Sequence, residues 1–222
     1  MVRFSIIILV TVLSAILAAC DPARIVEPDL INYAFCDDYP YTMQIQSNTA
    51  YVSLPYDCTL SSLEINGRVL WGPDFTNNTE NSMVYQFNTI YGTNNGMGVY
   101  RDTTNYVLTL GDKIFTGTLI NPSVPHLNLP GFDLENDYHF TWDMHRSPDN
   151  FWLNVGFFGG SPEQNEQLGR AKRSYSISNM HWAGQSYAIL RITLKAFKYV
   201  RHGDELIVYS HSDASQIVAP PE

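Results

Sequence analysis

Tyr187-Ala188-Ile189-Leu190-Arg191-Ile192-Thr193-Leu194-Lys195-Ala196 is the stretch that decides the fold. Ala188, Leu190, Ile192, Leu194 and Ala196 fall on one side of a period-two backbone, and Arg191, Thr193 and Lys195 fall on the other. Successive side chains of a strand point to opposite faces, so this segment reads as a strand with one face in a core and one in water. The same alternation recurs upstream. In His139-Phe140-Thr141-Trp142-Asp143-Met144-His145 the apolar positions are 140, 142 and 144. Phe151, Leu153, Val155 and Phe157 share a face after the turn Ser147-Pro148-Asp149-Asn150. Ser174–Ile177 and Leu206–Tyr209 are shorter strand candidates.

The first half is written the same way. Tyr41–Gln46 and Met83–Phe87 alternate, and Leu63-Glu64-Ile65 runs into Asn66-Gly67, a pair that favours the tight turn of a hairpin. Gly111-Asp112 separates Tyr106–Leu110 from Lys113–Ile120. Short strands between turn signals predict an all-β protein of one or two antiparallel β-sandwiches. The break falls at Asn121-Pro122-Ser123-Val124-Pro125, because proline cannot donate to a central ladder. Two sandwiches would then occupy residues 31–120 and 126–213, and a single larger sandwich is the alternative.

Composition fits this reading. Of 222 residues, 45% are hydrophobic and 13% aromatic, and only 16% are charged, which supplies cores and excludes a disordered chain. The formal net charge of −9 argues against nucleic acid as a partner, since polyanion binding needs a basic surface. The exception is local. From Arg170 to Arg201 stand seven basic residues, Arg170, Lys172, Arg173, Arg191, Lys195, Lys198 and Arg201, with no acid among them. Arg191 and Lys195 are the candidate partner-binding residues, directed at an acidic protein, an anionic glycan or lipid headgroups, or else at the protein's own acidic first half.

The amino-terminal stretch speaks to location. Arg3 precedes an apolar run from Ile6 to Leu17 that is too short for a comfortable span of about 20 residues. The run closes in Leu17-Ala18-Ala19-Cys20. This motif resembles the lipobox of bacterial lipoproteins. The resemblance implies a signal peptide over 1–19, a diacylglycerol on Cys20, a tether over 20–30, and anchorage in the cell envelope with the membrane leaflet left open. Leu17 at the −3 position suits that processing better than the small residues of ordinary signal cleavage. With Cys20 lipidated, Cys36 and Cys58 remain, and an oxidising compartment predicts a disulfide between them. Such a bridge would contribute about 3 kcal/mol by the chain-entropy argument.

The second half also resembles fibronectin type III and related immunoglobulin-like domains. Phe140-Thr141-Trp142, the proline turn and the strand after it are similar to that family's B and C strands. Ser174–Ile177, Ala183-Gly184, and Tyr187 with Arg191 four residues on are similar to its E-to-F passage. The resemblance implies Trp142 as the core tryptophan and Tyr187 as the corner tyrosine. Where the family has Leu-x-Pro before that tyrosine, this chain has Met180-His181-Trp182.

Catalytic signals are sparse. No zinc-protease, nucleophile-elbow, phosphate-loop or dinucleotide fingerprint occurs, so no catalytic residue or cofactor is assigned. His139, Asp143 and His145 share a strand face; positions six apart on a strand lie about 20 Å from one another, so His139 and His145 cannot hold one ion, while Asp143 and His145 could do so only with ligands from elsewhere. Asp133, Glu135 and Asp137 resemble the opening of a calcium loop that lacks its glycine and its closing glutamate. Trp71, Tyr91, Tyr100 and Trp182 are candidates for stacking on sugar rings. The functional expectation is a membrane-anchored, non-catalytic binding or scaffolding module. A carbohydrate-binding module is the first alternative, and an enzyme with an unrecognised site is the second.

Overall fold

The computed structural model describes residues 36–46, 49–70, 75–78, 83–88, 102–158, 164–183 and 189–220. The chain divides into two compact units, Met1–Asp37 and Asp38–Glu222, and the fold is that of the second. Cys20 and the stretches 1–19 and 20–30, expected as signal peptide and tether, lie outside the described residues, as does Tyr187.

Fifteen strands follow in order among the described residues. They are β1 (Tyr41–Ile45), β2 (Thr49–Leu54), β3 (Leu60–Ile65), β4 (Arg68–Leu70), β5 (Phe75–Asn78), β6 (Met83–Asn88), β7 (Thr103–Leu110) and β8 (Lys113–Ile120) in the first half. The second half adds β9 (His126–Asn128), β10 (Tyr138–Asp143), β11 (Asn150–Phe158), β12 (Gln164–Gly169), β13 (Ser174–Ile177), β14 (Ile189–His202) and β15 (Leu206–Val218). One short 3₁₀ turn spans Asn179–His181. The protein is all-β and sandwich-like, as the alternation predicts.

Three sheets form. An eight-stranded sheet runs β12-β11-β14-β15-β1-β2-β6-β5, a four-stranded sheet runs β4-β3-β7-β8, and a three-stranded sheet runs β13-β10-β9. Among the described residues every pairing is antiparallel except β1 beside β15, which is parallel, with Tyr41 opposite Leu206 and Gln44 opposite Tyr209. The predicted hairpin turn is present. Asn66 and Gly67 both have positive φ, 52° and 79°, the geometry of a two-residue turn whose twist matches its strands.

Apolar residues gather in two cores. The first is built on Met43, Val52, Leu54, Leu63, Ile65, Tyr106 and Leu108 and includes Leu206 and Val208 of β15. The second contains Trp142, Phe140, Phe151, Leu153, Val155, Trp182, Leu190, Ile192 and Leu194. Asn121–Pro125 carries no strand and links β8 to β9. The chain does not stay in the second core after that link, because the β14–β15 hairpin returns to the first. In β14 the even positions from Leu190 to Ala196 enter the second core, and Val200 packs on the first. Both cores therefore lie on one face of the eight-stranded sheet, with a small sheet covering each. The odd positions of β14 point to the opposite face.

Neither Cys36 nor Cys58 is in a disulfide. The predicted bridge is thus corrected by the structure, where the Cys58 thiol is instead hydrogen-bonded to the Tyr41 hydroxyl.

Candidate functional site

Cross-strand pairing fixes what stands on the open face of the eight-stranded sheet behind the second core. Directly opposed residues share a face, so each ladder gives one transverse row. Trp152 of β11 lies between Gln167 of β12 and Lys195 of β14, and Asp213 of β15 continues the row. The next row is Asn165, Asn154, Thr193 and Ser215. The third places Gly156 beside Arg191 and Arg191 beside Ile217. Asn165, Gln167, Arg191, Asp213, Ser215 and Ile217 are exposed, and Trp152, Asn154, Thr193 and Lys195 are half-buried.

Hydrogen bonds hold this face in shape. Asn154 Nδ2 donates to Asn165 Oδ1 at 2.7 Å across β11 and β12. The Thr193 and Ser215 hydroxyls meet at 2.8 Å across β14 and β15. Fixed amides and hydroxyls lose less freedom on contact with a ligand than mobile ones do. From the Trp152–Lys195 row to the Gly156–Arg191 row is four residues, about 13 Å of strand.

Toward the first core the same face closes over. Phe197, Ile207 and Tyr209 are buried there. The Tyr209 hydroxyl donates to Gln44 Oε1 at 3.3 Å, and Gln44 Nε2 donates to His211 Nδ1 at 3.2 Å. That chain crosses the parallel β15–β1 junction and requires His211 neutral, with its proton on Nε2. The Phe197 ring lies 5.5 Å from the imidazole. Burial, with Lys195 nearby, depresses the His211 pKa to about 4, and Asp213 opposes that only in part.

The structure disperses the basic run. Arg191, Lys195 and Arg201 occupy odd positions of β14 and so the same side of the sheet, but Arg201 lies beyond the part that closes over, its guanidinium 4.8 Å from the centre of the Tyr199 ring. Lys198 points the other way and pairs with Asp149 at 3.0 Å. Arg173 donates to the carbonyls of Arg170 and Lys172 and lies over the Phe151 ring at 5.3 Å. Only part of the run can therefore address a single partner.

Of the four aromatics that the sequence offers for stacking on sugars, Trp182 is the one among the described residues. Trp182 is a core residue: its Nε1 donates to the Leu134 carbonyl at 2.9 Å and its ring meets Phe132 edge-on. Trp71, Tyr91 and Tyr100 lie outside the described residues. Trp152 was readable as an outward position of the Phe151–Phe157 alternation, and it is the indole that reaches the open face.

The opposite, three-stranded sheet also presents polar groups. Asp143 faces His126 and accepts from Asn128 Nδ2 at 2.9 Å, while His139 Nδ1 contacts the Ser176 hydroxyl at 2.5 Å. A shallow depression of about 480 Å³ there is lined by Asn128, Leu129, Pro130, His139, Phe140 and Thr141. Among the described residues, no three His, Cys, Asp or Glu side chains stand close enough to hold a metal ion. No family model matches the chain, and no curated protein matches it.

Proposed function

We propose that this protein is a lipid-anchored component of the bacterial cell envelope that acts by binding, without catalysis, through the open face of its eight-stranded sheet. The observation that carries the reading is the placement of Arg191 and Lys195 together with Trp152 on one rigid, solvent-facing surface. Lys195 stands beside the indole and Arg191 about 13 Å further along the strand, and the other face of this part of the sheet carries the second core. Leu17-Ala18-Ala19-Cys20 supports the anchor. Two or more acyl chains hold a protein stably where one binds only reversibly.

The second half reads as an immunoglobulin-like module. Its seven strands are divided three and four between the sheets β13-β10-β9 and β12-β11-β14-β15, which supports that reading. Trp142 at the centre of the second core supports it as well.

The test is a pull-down from envelope extract with wild type and an Arg191→Gln/Lys195→Gln variant. Wild type should retain partners that fall away as salt rises, because exposed charges are screened over about 8 Å at physiological ionic strength. The variant should lose them while unfolding at the same temperature. Equal capture by both proteins would overturn the reading.

A further inference from the structure

We infer that the outer face of the four-stranded sheet β4-β3-β7-β8 is where two copies of this protein meet, sheet against sheet. The inference is independent of the open face of the eight-stranded sheet.

Alternation assigns the face. Phe115 and Leu119 of β8 are buried in the first core or against it, so Ile114, Thr116, Thr118 and Ile120 point outward. The ladder carries that face onto β7, with Thr109 beside Ile114, Val107 beside Thr116, Asn105 beside Thr118 and Thr103 beside Ile120. Glu64 of β3 and Val69 of β4 extend the Val107 row. The apolar groups here are open to water: Ile114 is 67% exposed, Ile120 53% and Val69 39%.

Burying these groups costs little. Ile, Val and Thr are short and stiff, so they give up little freedom on contact. The amide and hydroxyl in the middle already satisfy each other, since Thr118 Oγ1 donates to Asn105 Oδ1 at 2.7 Å. A covering partner therefore leaves no orphaned donor at that pair. Among the outward positions of these four strands Glu64 is the charged one, and it stands on β3. A contact centred on β7 and β8, eight residues each, leaves it at the rim.

Charge selects the partner. The chain carries a formal net charge of −9, so two copies repel over most approaches. A face of Ile, Val and Thr is where that repulsion is least, and it offers a charged partner nothing to pair with. The ions at its two ends are closed within the chain, Lys113 on Glu205 at 2.6 Å and Arg146 on Asp102 at 2.7 Å. An apolar centre with a polar rim is the anatomy of a protein interface.

Size sets the strength. Eight residues of strand span about 27 Å and four strands about 19 Å, up to about 500 Å² per copy. Two copies then bury about 1,000 Å², the lower bound for a specific contact, so the dimer is weak. Its two-fold axis passes through the face, with the sheets about 10 Å apart.

Sedimentation equilibrium of the full chain, in detergent matched in density to the solvent, tests this. Wild type should pass from monomer to dimer as concentration rises, with half-association below roughly 100 µM. Ile114→Glu/Ile120→Glu sets like charges on both facing sheets and should weaken association at least about tenfold. It should unfold at the same temperature as wild type, because both positions are exposed. Mixing it with Ile114→Lys/Ile120→Lys should restore association as a mixed dimer, which damage to the fold cannot do. Wild type that stays monomeric, association unchanged in the Glu variant, or a mixture that stays monomeric would overturn the inference. A benzophenone side chain at Thr116 in cells decides independently, and serves if either double variant does not fold. It should yield adducts of twice the chain's mass; adducts with a different protein, or none, would overturn the second copy as occupant.

Discussion

Acid should loosen this fold through His211, and the size of the effect follows from its surroundings. The imidazole sits where β14, β15 and β1 meet. Gln44 holds its Nδ1 as an acceptor, Phe197 packs against it, and Lys195 and Asp213 are the nearest charges. A histidine with an ordinary value of 6.5 titrates at about 4 in this position. The unfolded chain takes up the proton near pH 6.5 and the folded chain only near 4. The unfolded state therefore binds more protons between those values, and stability falls as pH falls through that window. Above pH 6.5 this contribution is intact, and below 4 it changes no further. The full effect is roughly 3 kcal/mol, a large part of a typical 5–15 kcal/mol. His202 adds to it in the same direction, since burial lowers its pKa too. Urea unfolding of wild type and His211→Gln at pH 7 and pH 4.5 measures it. The wild type should lose about 2–3 kcal/mol more than the variant over that interval. Equal losses would refute the reasoning, because burial of a neutral His211 would then contribute nothing to the pH dependence.

Three further outcomes are expected. Gly117→Ala should destabilise by about 1–3 kcal/mol, read by thermal unfolding, because its new methyl would collide with the Tyr106 hydroxyl, which is hydrogen-bonded to His202. Leu194→Ala should cost about 2–5 kcal/mol. It should also lower the transitions reported by both cores together, since β14 runs through each; separate transitions by different probes would contradict a shared hairpin. Cys20→Ser should release the protein from membranes or leave it unprocessed, and intact mass of the wild type should show acyl chains.

The period-two alternation made much of the architecture readable. Leu190, Ile192, Leu194 and Ala196 are buried where the pattern places them, and Ser174–Ile177 is a strand with those limits. Pattern names faces and not partners, which is why the parallel β1–β15 pairing was not legible. It depends on Tyr41 meeting Leu206, 165 positions away in the chain. β14 runs on past Ala196 because Lys198, on the inward side, is satisfied by Asp149, a partner invisible to hydropathy. β15 continues to Val218 through Ser-His-Ser-Asp-Ala-Ser-Gln, held by its ladder with β14 and not by apolar periodicity. β12 was missed for a similar reason, since Leu168 is its one large apolar residue.

The site was half legible. Arg191 and Lys195 stand outward as alternation requires, but the indole between them and β12 emerged only from cross-strand pairing. Lys198 belongs to the same basic run and yet serves the fold.

Photo-cross-linking in cells tests the binding face most directly. A benzophenone side chain placed at Gln167 stands in the Trp152 row, and one placed at Ser215 stands in the adjacent row. One placed at Thr141, exposed on the three-stranded sheet, serves as the control. Adducts from Gln167 and Ser215, diminished when Arg191 and Lys195 are both replaced by Gln, with none from Thr141, are the predicted result. Adducts from Thr141 alone, or adducts at Gln167 and Ser215 that persist unchanged in the Arg191→Gln/Lys195→Gln background, would contradict it.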